Sequence, residues 1–550
     1  MPHGGKILAE QLAHLGVARI FQVPGESFLA ALDGLLDHDI DVVTCRQEGG
    51  AAMMAEAHAK LTGDVGVCFV TRGPGACNAS AGVHIARQDS TAMVLFVGQI
   101  ARDHRGREAF QEVDYRQMFG GLAKWVEEVD QTERLGEYVR RAFAIAQAGR
   151  PGPVVLALPE DMLSADVADA PAPKGLPHAA AVDLRGAATE VMARIGQAAR
   201  PLVVVGGPHW SDAAARDLQD WAEAQALPVA VGFRRQDYID NRSQAYAGDL
   251  NVGMNPALAE RFGEADLIVA LGSRLGDIET KGYTLMAAGK PLVHVHAGSE
   301  EIGRVWPTDL GVVARADDMV TALCDLPIVP RDRAWMDQCR AAYGTWTTPV
   351  TSPGDVRQEE VIAWLSDHLP EDAIVTNGAG NYAAWLHRYF VYKRHGTQAA
   401  PTSGSMGYGF PAAVATKLAY PDRMAVCLAG DGCFQMTCNE MSTAVQHGAA
   451  VVTIVMNNGR YGTIRMHQEK SYPERVSGTD MAAPDFAAFA RAYGGHGETV
   501  RRQAEFAPAF ARAAASGLPA VIEVVLDGDV LSTGATLSAT RAAAVGKMRG

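Results

Sequence analysis

The chain has 550 residues, 48% apolar and 20% charged, with a formal net charge of −14. This composition describes an ordinary folding chain with ample core, and the length predicts about three or four domains at roughly 150 residues each. The acidic balance argues against nucleic acid or an anionic membrane as partner, but not against an anionic small molecule, because one metal ion can reverse the local field.

The opening MPHGGKILAEQLAHLG lacks the apolar core of a secretion signal and reads as an amphipathic helix, and no apolar run is long enough to span a membrane. Strands are predicted at Ile20–Val23, Val42–Thr44, Val65–Thr71 and Met93–Val97, and helices near Phe28–Leu36, Gly49–Leu61 and Ala76–Ala86. Such alternation implies a parallel sheet covered on both faces. A last strand framed by prolines falls in Arg150–Asp161. The Ala-, Pro- and Asp-rich segment 165–181 reads as a linker, too poor in large apolar side chains to form a core.

A second α/β unit begins at RPLVVVGG (Arg200–Gly207) and includes ADLIVALGSR (Ala265–Arg274) and PLVHVHA (Pro291–Ala297). A second break lies at Thr345–Asp355, and a third α/β unit runs from about Val356 to Asp527. The fold class is therefore α/β with three doubly wound parallel-sheet domains, 1–165, 182–345 and 356–530, followed by a tail, 531–550. The eight cysteines include no CxxC pair and suit small buried thiols in a reducing cytoplasm. A metal or redox role for Cys427, Cys433 and Cys438 is the alternative. Three such domains fit many enzymes, so fold alone does not decide function.

The stretch LAGDGCFQMTCNEMSTAVQHGAAVVTIVMNNGRYG, Leu428–Gly462, is more specific. Met424–Ala429 reads as a strand and Gly430-Asp431-Gly432 as the turn at its end. Thr437 to Glu440 matches a capping box, predicting a helix from near Cys438 to Gly448. Ala450–Met456 is the next strand, with Asn457-Asn458 at its end. A right-handed crossover brings Asp431 and Asn458 to one carboxyl edge, where α/β sheets bind ligands. One carboxylate, one amide oxygen and a main-chain carbonyl suit a hard cation such as Mg²⁺ on a phosphate. The flanking glycines allow close backbone approach.

GDG, 24 residues and then NN resembles the motif of thiamine-diphosphate enzymes. The resemblance implies Asp431, Asn458 and the Arg460 main chain as Mg²⁺ ligands, with Gly432, Cys433, Tyr461 and Gly462 in the cofactor-binding set. It also implies Glu48, in VVTCRQEGGAAMMAEAHAK, as the glutamate that contacts the aminopyrimidine ring and promotes loss of the thiazolium C2 proton. Burial against Ala, Met and cofactor would raise its pKa. TRGPGACN (Thr71–Asn78) resembles SGPGATN, whose Pro and Asn face the cofactor, here Pro74 and Asn78. VPGESF supplies Pro24 where the family has a YPGG-type turn. TSGSMGYGFPAA (Thr402–Ala413) resembles GLGTMGFGLPAA, with the Gly404 carbonyl receiving the aminopyrimidine amine and Met406 wedging the cofactor into its bent form. NGAGNY places Asn381 and Tyr382 where the family has a Gln-His pair near the diphosphate.

AFQE (Ala109–Glu112) resembles the acetolactate synthase segment whose Phe and Gln line the active site, here Phe110 and the catalytic candidate Gln111. Thr463 and Ile464 are further substrate-pocket candidates. Decarboxylase branches carry paired histidines, a Glu after NN, or a His at the position of Thr71. Here stand a single His104, then Thr463, Ile464 and Arg465, with His467 beyond. The resemblance thus implies a carboligase on 2-oxo acids, acetolactate synthase-like. The alternatives are another decarboxylase or C–C lyase of the family, or a non-catalytic cofactor-binding paralogue. It further implies a homodimer or homotetramer in which Glu48 and Asp431 meet across subunits. FAD in the central domain stays open, since GSRLGD (Gly272–Asp277) matches the flavin-contacting FDDR region only in part.

Overall fold

In a computed structural model of the chain, described over residues 1–168, 170–176, 182–287 and 289–549, the strands form three six-stranded sheets. Every pairing between strands is parallel. The first sheet holds β1 (Arg19–Gln22), β2 (Asp41–Thr44), β3 (Gly66–Val70), β4 (Met93–Gln99), β5 (Trp125–Glu128) and β6 (Pro153–Pro159), in the order β2-β1-β3-β4-β6-β5. The second holds β7 (Pro201–Val205), β8 (Val229–Val231), β9 (Tyr246–Asp249), β10 (Leu267–Leu271), β11 (Leu292–His296) and β12 (Leu310–Val313), ordered β12-β11-β10-β7-β8-β9. The third holds β13 (Ile374–Asn377), β14 (Gln398–Ala399), β15 (Ala425–Gly430), β16 (Val452–Asn457), β17 (His496–Val500) and β18 (Ala520–Val525), ordered β14-β13-β15-β16-β18-β17. Counted from its own first strand, the third sheet repeats the order of the first.

The inner strands are buried along their length, as β3, β4, β6, β7, β10 and β11 show. Helices on both faces of a parallel sheet demand this, and it is why these strands read as unbroken apolar runs. The edges differ: β5 and most of β17 are half-buried and carry charged side chains, and β14 has only two residues. None of these three gives an apolar-run signal.

The chain divides into two compact units. Met1–Ala181, Pro401–Pro421 and Thr437–Ala449 form the first, on the first sheet; Val182–Ala400, Asp422–Met436 and Ala450–Gly550 form the second, on the other two. The predicted linker 165–181 is only partly described, and what is described is not a free tether. Asp166 bridges His3, Val167 is buried, and Lys174 exchanges backbone hydrogen bonds of 3.0 and 3.2 Å with the Gln11 side chain. One buried valine and a helix face with paired backbone groups suffice to dock an otherwise polar segment. The tail, for which no element is predicted, forms the helix Leu537–Arg549, with Arg541 paired to the buried Glu469 of the helix Gly462–Ser471. Among the described residues no helix is long and apolar enough to cross a membrane.

Candidate cofactor and active site

The register of β15 on β16 pairs Gly430 with Met456, so Asp431 and Asn457-Asn458 emerge together at one edge of the third sheet. Asp431 opens the short helix Asp431–Gln435 and is 3% exposed. Its Oδ1 accepts the Gly432 amide at 2.8 Å, and its Oδ2 accepts the amides of Gly459 at 2.7 Å and Asn458 at 3.2 Å. Burial pushes this carboxyl above its ordinary value, and the amide donors oppose the shift. The two asparagines divide their work. Asn457 donates to Glu523 on β18 at 2.7 Å and locks the strand end. Asn458 stays with the loop, its Oδ1 accepting the Arg460 amide at 3.2 Å. The oxygen groups gathered here are hard donors, the set a Mg²⁺ ion takes beside phosphate. A thiolate site is not formed: among the described residues no cluster of three or more His, Cys, Asp or Glu could hold a metal.

The glycines beside Asp431 have a reason the sequence did not suggest. A Cβ on Gly430 would lie 2.9 Å from the Tyr382 ring, and one on Gly432 would lie 2.8 Å from the Tyr461 ring. Tyr382 is buried; its hydroxyl accepts the Gly378 amide at 3.0 Å and donates to the Cys433 sulfur at 3.3 Å. Asn381 faces α-helix Gly462–Ser471 instead of the GDG turn. Its side chain bonds Thr463 Oγ1 at 3.0 Å and the Leu531 carbonyl at 2.6 Å. Asn381, Tyr382, Asp431, Gly432, Cys433, Asn458, Arg460, Tyr461, Gly462 and Thr463 thus share this edge, while Ile464 is 54% exposed.

The capping box is not formed. Thr437 donates its hydroxyl to the Gly407 carbonyl at 2.6 Å, and a 3₁₀ turn, Cys438–Glu440, precedes the helix Met441–Gln446. The Glu440 carboxylate accepts the backbone amides of Arg46 at 3.2 Å and Gln47 at 3.0 Å, and the Thr443 hydroxyl at 2.6 Å. Both side chains that would close the box serve distant segments of the first unit. The sequence signal assigns Glu440 to a local cap, because its actual partners Arg46 and Gln47 lie hundreds of positions away.

Those amides immediately precede Glu48, the first residue of the helix Glu48–Thr62. Gln47 caps this helix by accepting the Gly50 amide at 3.0 Å. Glu48 is half-buried within this chain, not enclosed as its sequence context suggests. Its Oε2 accepts the Asn78 side-chain amide at 2.8 Å. Pro74 starts the helix Pro74–Asp89 after Gly73 at φ +59°, where a Cβ would strike Gln111. The Gly73 amide donates to the Tyr115 hydroxyl at 2.9 Å. Gln111 itself holds φ +66°, and Phe110 beside it is 78% exposed. Gly404 sits at φ +67° in the turn before Met406, which is half-buried, and Pro24 is exposed. Thr71 pairs with Ser27 at 2.9 Å. His104 and His467 are both exposed.

In the second sheet the chain reverses direction between β7 and β10, where a nucleotide would lie. The two strand ends pack closely there. A Cβ on Gly207 would stand 2.0 Å from the Gly272 carbonyl oxygen, and Trp210 and Tyr238 donate to the Gly206 and Gly207 carbonyls at 3.0 and 2.7 Å. The Glu279 carboxylate accepts Ser273 Oγ at 2.8 Å and reaches to 2.2 Å from where a Gly232 Cβ would stand. Nearby, the buried Arg234, at φ +59°, donates to the Gly378 carbonyl at 2.8 Å and braces the turn that carries Tyr382. Nothing in its local sequence marks it.

Comparison with known proteins agrees with this geometry. Residues 2–118 match the family model "Thiamine pyrophosphate enzyme, N-terminal TPP binding domain", 188–323 the central domain and 378–524 the C-terminal TPP binding domain. The chain is 33% identical over 545 residues to the acetolactate synthase large subunit of Parasynechococcus marenigrum, covering 95% of this chain and 87% of the relative. It is 28% identical over 536 residues to acetolactate synthase isozyme 2 large subunit of Escherichia coli, covering 96% of each. Its fold is similar to that of the Rhodococcus jostii thiamine diphosphate-dependent 4-hydroxybenzoylformate decarboxylase, with TM-score 0.83, 24% identity, and 96% and 99% of the two chains covered. The chain belongs to the thiamine-pyrophosphate enzyme family.

Proposed function

We propose that the protein is a carboligase on 2-oxo acids, acetolactate synthase-like, which decarboxylates one 2-oxo acid and joins the remaining carbon unit to a second carbonyl. The cofactor's diphosphate end is read at the Asp431–Asn458 edge, with Asp431, Asn458 and the Arg460 main chain as Mg²⁺ ligands. When bound, thiamine diphosphate supplies a carbon nucleophile and an electron sink. Glu48, oriented by Asn78 at 2.8 Å, exchanges a proton with the aminopyrimidine ring. The Gly404 carbonyl and Met406 orient that ring, and Gln111 faces the substrate. We also read the site as completed between two subunits of a homo-oligomer, with Glu48 from one and Asp431 from the other.

The observation that supports carboligation is the side-chain set after Asn458. Thr463 is engaged with Asn381, and Arg465 is buried against Thr479 and Asp480. His467 is exposed. Glu469, the carboxylic acid of this helix, is buried and paired with Arg541, so it is not offered to protonate the carbon unit, which favours addition to a second carbonyl. We read the central domain as a scaffold without flavin, a reading supported by the close packing of Gly207 on Gly272 between the ends of β7 and β10. Incubation with thiamine diphosphate, Mg²⁺ and pyruvate tests the reading. Acetolactate supports it, and acetaldehyde supports a decarboxylase. No turnover of any 2-oxo acid, despite tight cofactor binding, supports a non-catalytic paralogue.

A further inference from the structure

The segment bearing Gly404 and Met406 is held at both ends by one buried charge cluster. Lys60 Nζ lies 2.6 Å from Asp89 Oδ2 and 3.1 Å from Glu56 Oε1, and it donates to the Tyr408 hydroxyl at 3.2 Å. The Lys60 side chain is 9% exposed and both carboxylates are fully buried. Tyr408 donates to Glu56 Oε2 at 2.6 Å, and Thr91 donates to Glu56 Oε1 at 2.6 Å. Asp89 Oδ1 in turn accepts the Thr402 amide at 2.7 Å and the Thr402 hydroxyl. Thr402 and Tyr408 therefore bracket the turn, each on one of the two carboxylates, and Lys60 bridges them.

The same two helices carry the residues read as the proton relay. Glu48 starts the helix that later presents Glu56 and Lys60, and Asn78 lies in the first turns of the helix that ends at Asp89. We propose that Lys60 is a positioning residue for the aminopyrimidine site: by joining Glu56 to Asp89 it fixes the Thr402–Tyr408 turn on the helices that carry Glu48 and Asn78. This rests on reading Gly404 and Met406 as cofactor contacts. Without the ammonium, two buried carboxylates face each other with one fewer cation, a costly arrangement that the turn relieves by detaching.

The test has two arms, so that failure of the tether and failure of the cofactor reading are distinguishable. Hydrogen–deuterium exchange of the peptide covering 401–410 is measured in the full-length, cofactor-free protein for wild type, Lys60→Met and Lys60→Arg. Exchange about tenfold faster in Lys60→Met, returned towards wild type by Lys60→Arg, is the expected result. Unchanged exchange in Lys60→Met overturns the tether. Thiamine diphosphate affinity at fixed Mg²⁺ is then titrated by intrinsic fluorescence. A loss of about tenfold or more in Lys60→Met, recovered in Lys60→Arg, supports positioning. Faster exchange with undiminished affinity overturns the positioning role and, with it, the assignment of Gly404 and Met406. If Lys60→Met does not fold, Tyr408→Phe removes one hydroxyl without changing charge. It gives the same directions at smaller size, and no change in either readout overturns the proposal.

Discussion

The Asp431 carboxylate stands 2.7 Å from the Gly459 amide, joining the ends of two adjacent parallel strands through one side chain. With the Asn458 and Gly432 amides also aimed at it, the carboxylate is oriented before any ligand arrives. Donors fixed in advance cost no reorganisation on binding, and this distinguishes a built oxygen site from an acidic residue in a turn.

Gly430→Ala and Gly432→Ala separate the two packing roles. At Gly430 the new methyl meets the ring of Tyr382, which is held by Gly378 and Cys433 and cannot swing away. A loss of about 1–3 kcal/mol in urea unfolding is expected there. At Gly432 it meets Tyr461, which is 37% exposed and free to yield, so the loss should stay below about 1 kcal/mol. Equal losses at the two sites would contradict this account of the GDG turn.

Much of this was legible before the fold. Inner strands such as Met93–Gln99 and Val452–Asn457 announce themselves because burial on both faces excludes polar residues. The edge strands Trp125–Glu128 and His496–Val500 do not, since exposure lets charge in. Asp431 and Asn458 stand out through their spacing at two strand ends, whereas Glu48 stands out only through the resemblance to thiamine-diphosphate enzymes. Glu440 was misread because Thr437 to Glu440 fits a local cap, yet long-range partners at Gly407, Arg46 and Gln47 win both side chains. Lys60 and Arg234 gave no signal, because what matters about each is a contact far away in sequence.

Glu48→Gln should keep cofactor binding and slow thiamine C2 proton exchange by about a hundredfold or more, followed by NMR after transfer into D₂O. The Asn78 amide still finds a carbonyl oxygen on the introduced glutamine side chain, so the geometry survives while the proton site is lost. Wild-type exchange in this variant would remove Glu48 from the relay.

Asp249 gives a pH signature in stability. Burial raises its carboxyl to about 7, against 3.8 for the ordinary value. Its folded pKa is the higher one, so its favourable contribution is full below 3.8 and is lost as pH rises through about 7. Asp249→Asn keeps the acceptor for Asn251 without the charge, and should raise stability at pH 8 by up to about 4 kcal/mol, with little gain at pH 4. The neighbouring His387, 4.0 Å away, is lowered to about 3 by burial. It works in the opposite direction, losing stability as pH falls below its ordinary 6.5, and is common to both proteins compared. A variant gain that is larger in acid than at pH 8 would contradict the assignment.

Calorimetric titration of thiamine diphosphate, with and without Mg²⁺, into wild type and Asp431→Ala tests the central claim most directly. Asp431→Ala also leaves the Gly432 and Asn458 amides without their acceptor, while the Gly459 amide keeps Asn457 Oδ1 at 3.1 Å, a structural cost of about 1–3 kcal/mol that thermal unfolding reports separately. The account predicts Mg²⁺-dependent binding in wild type and a loss of about a hundredfold or more in a folded Asp431→Ala. Wild-type affinity with intact Mg²⁺ dependence in that variant would contradict it.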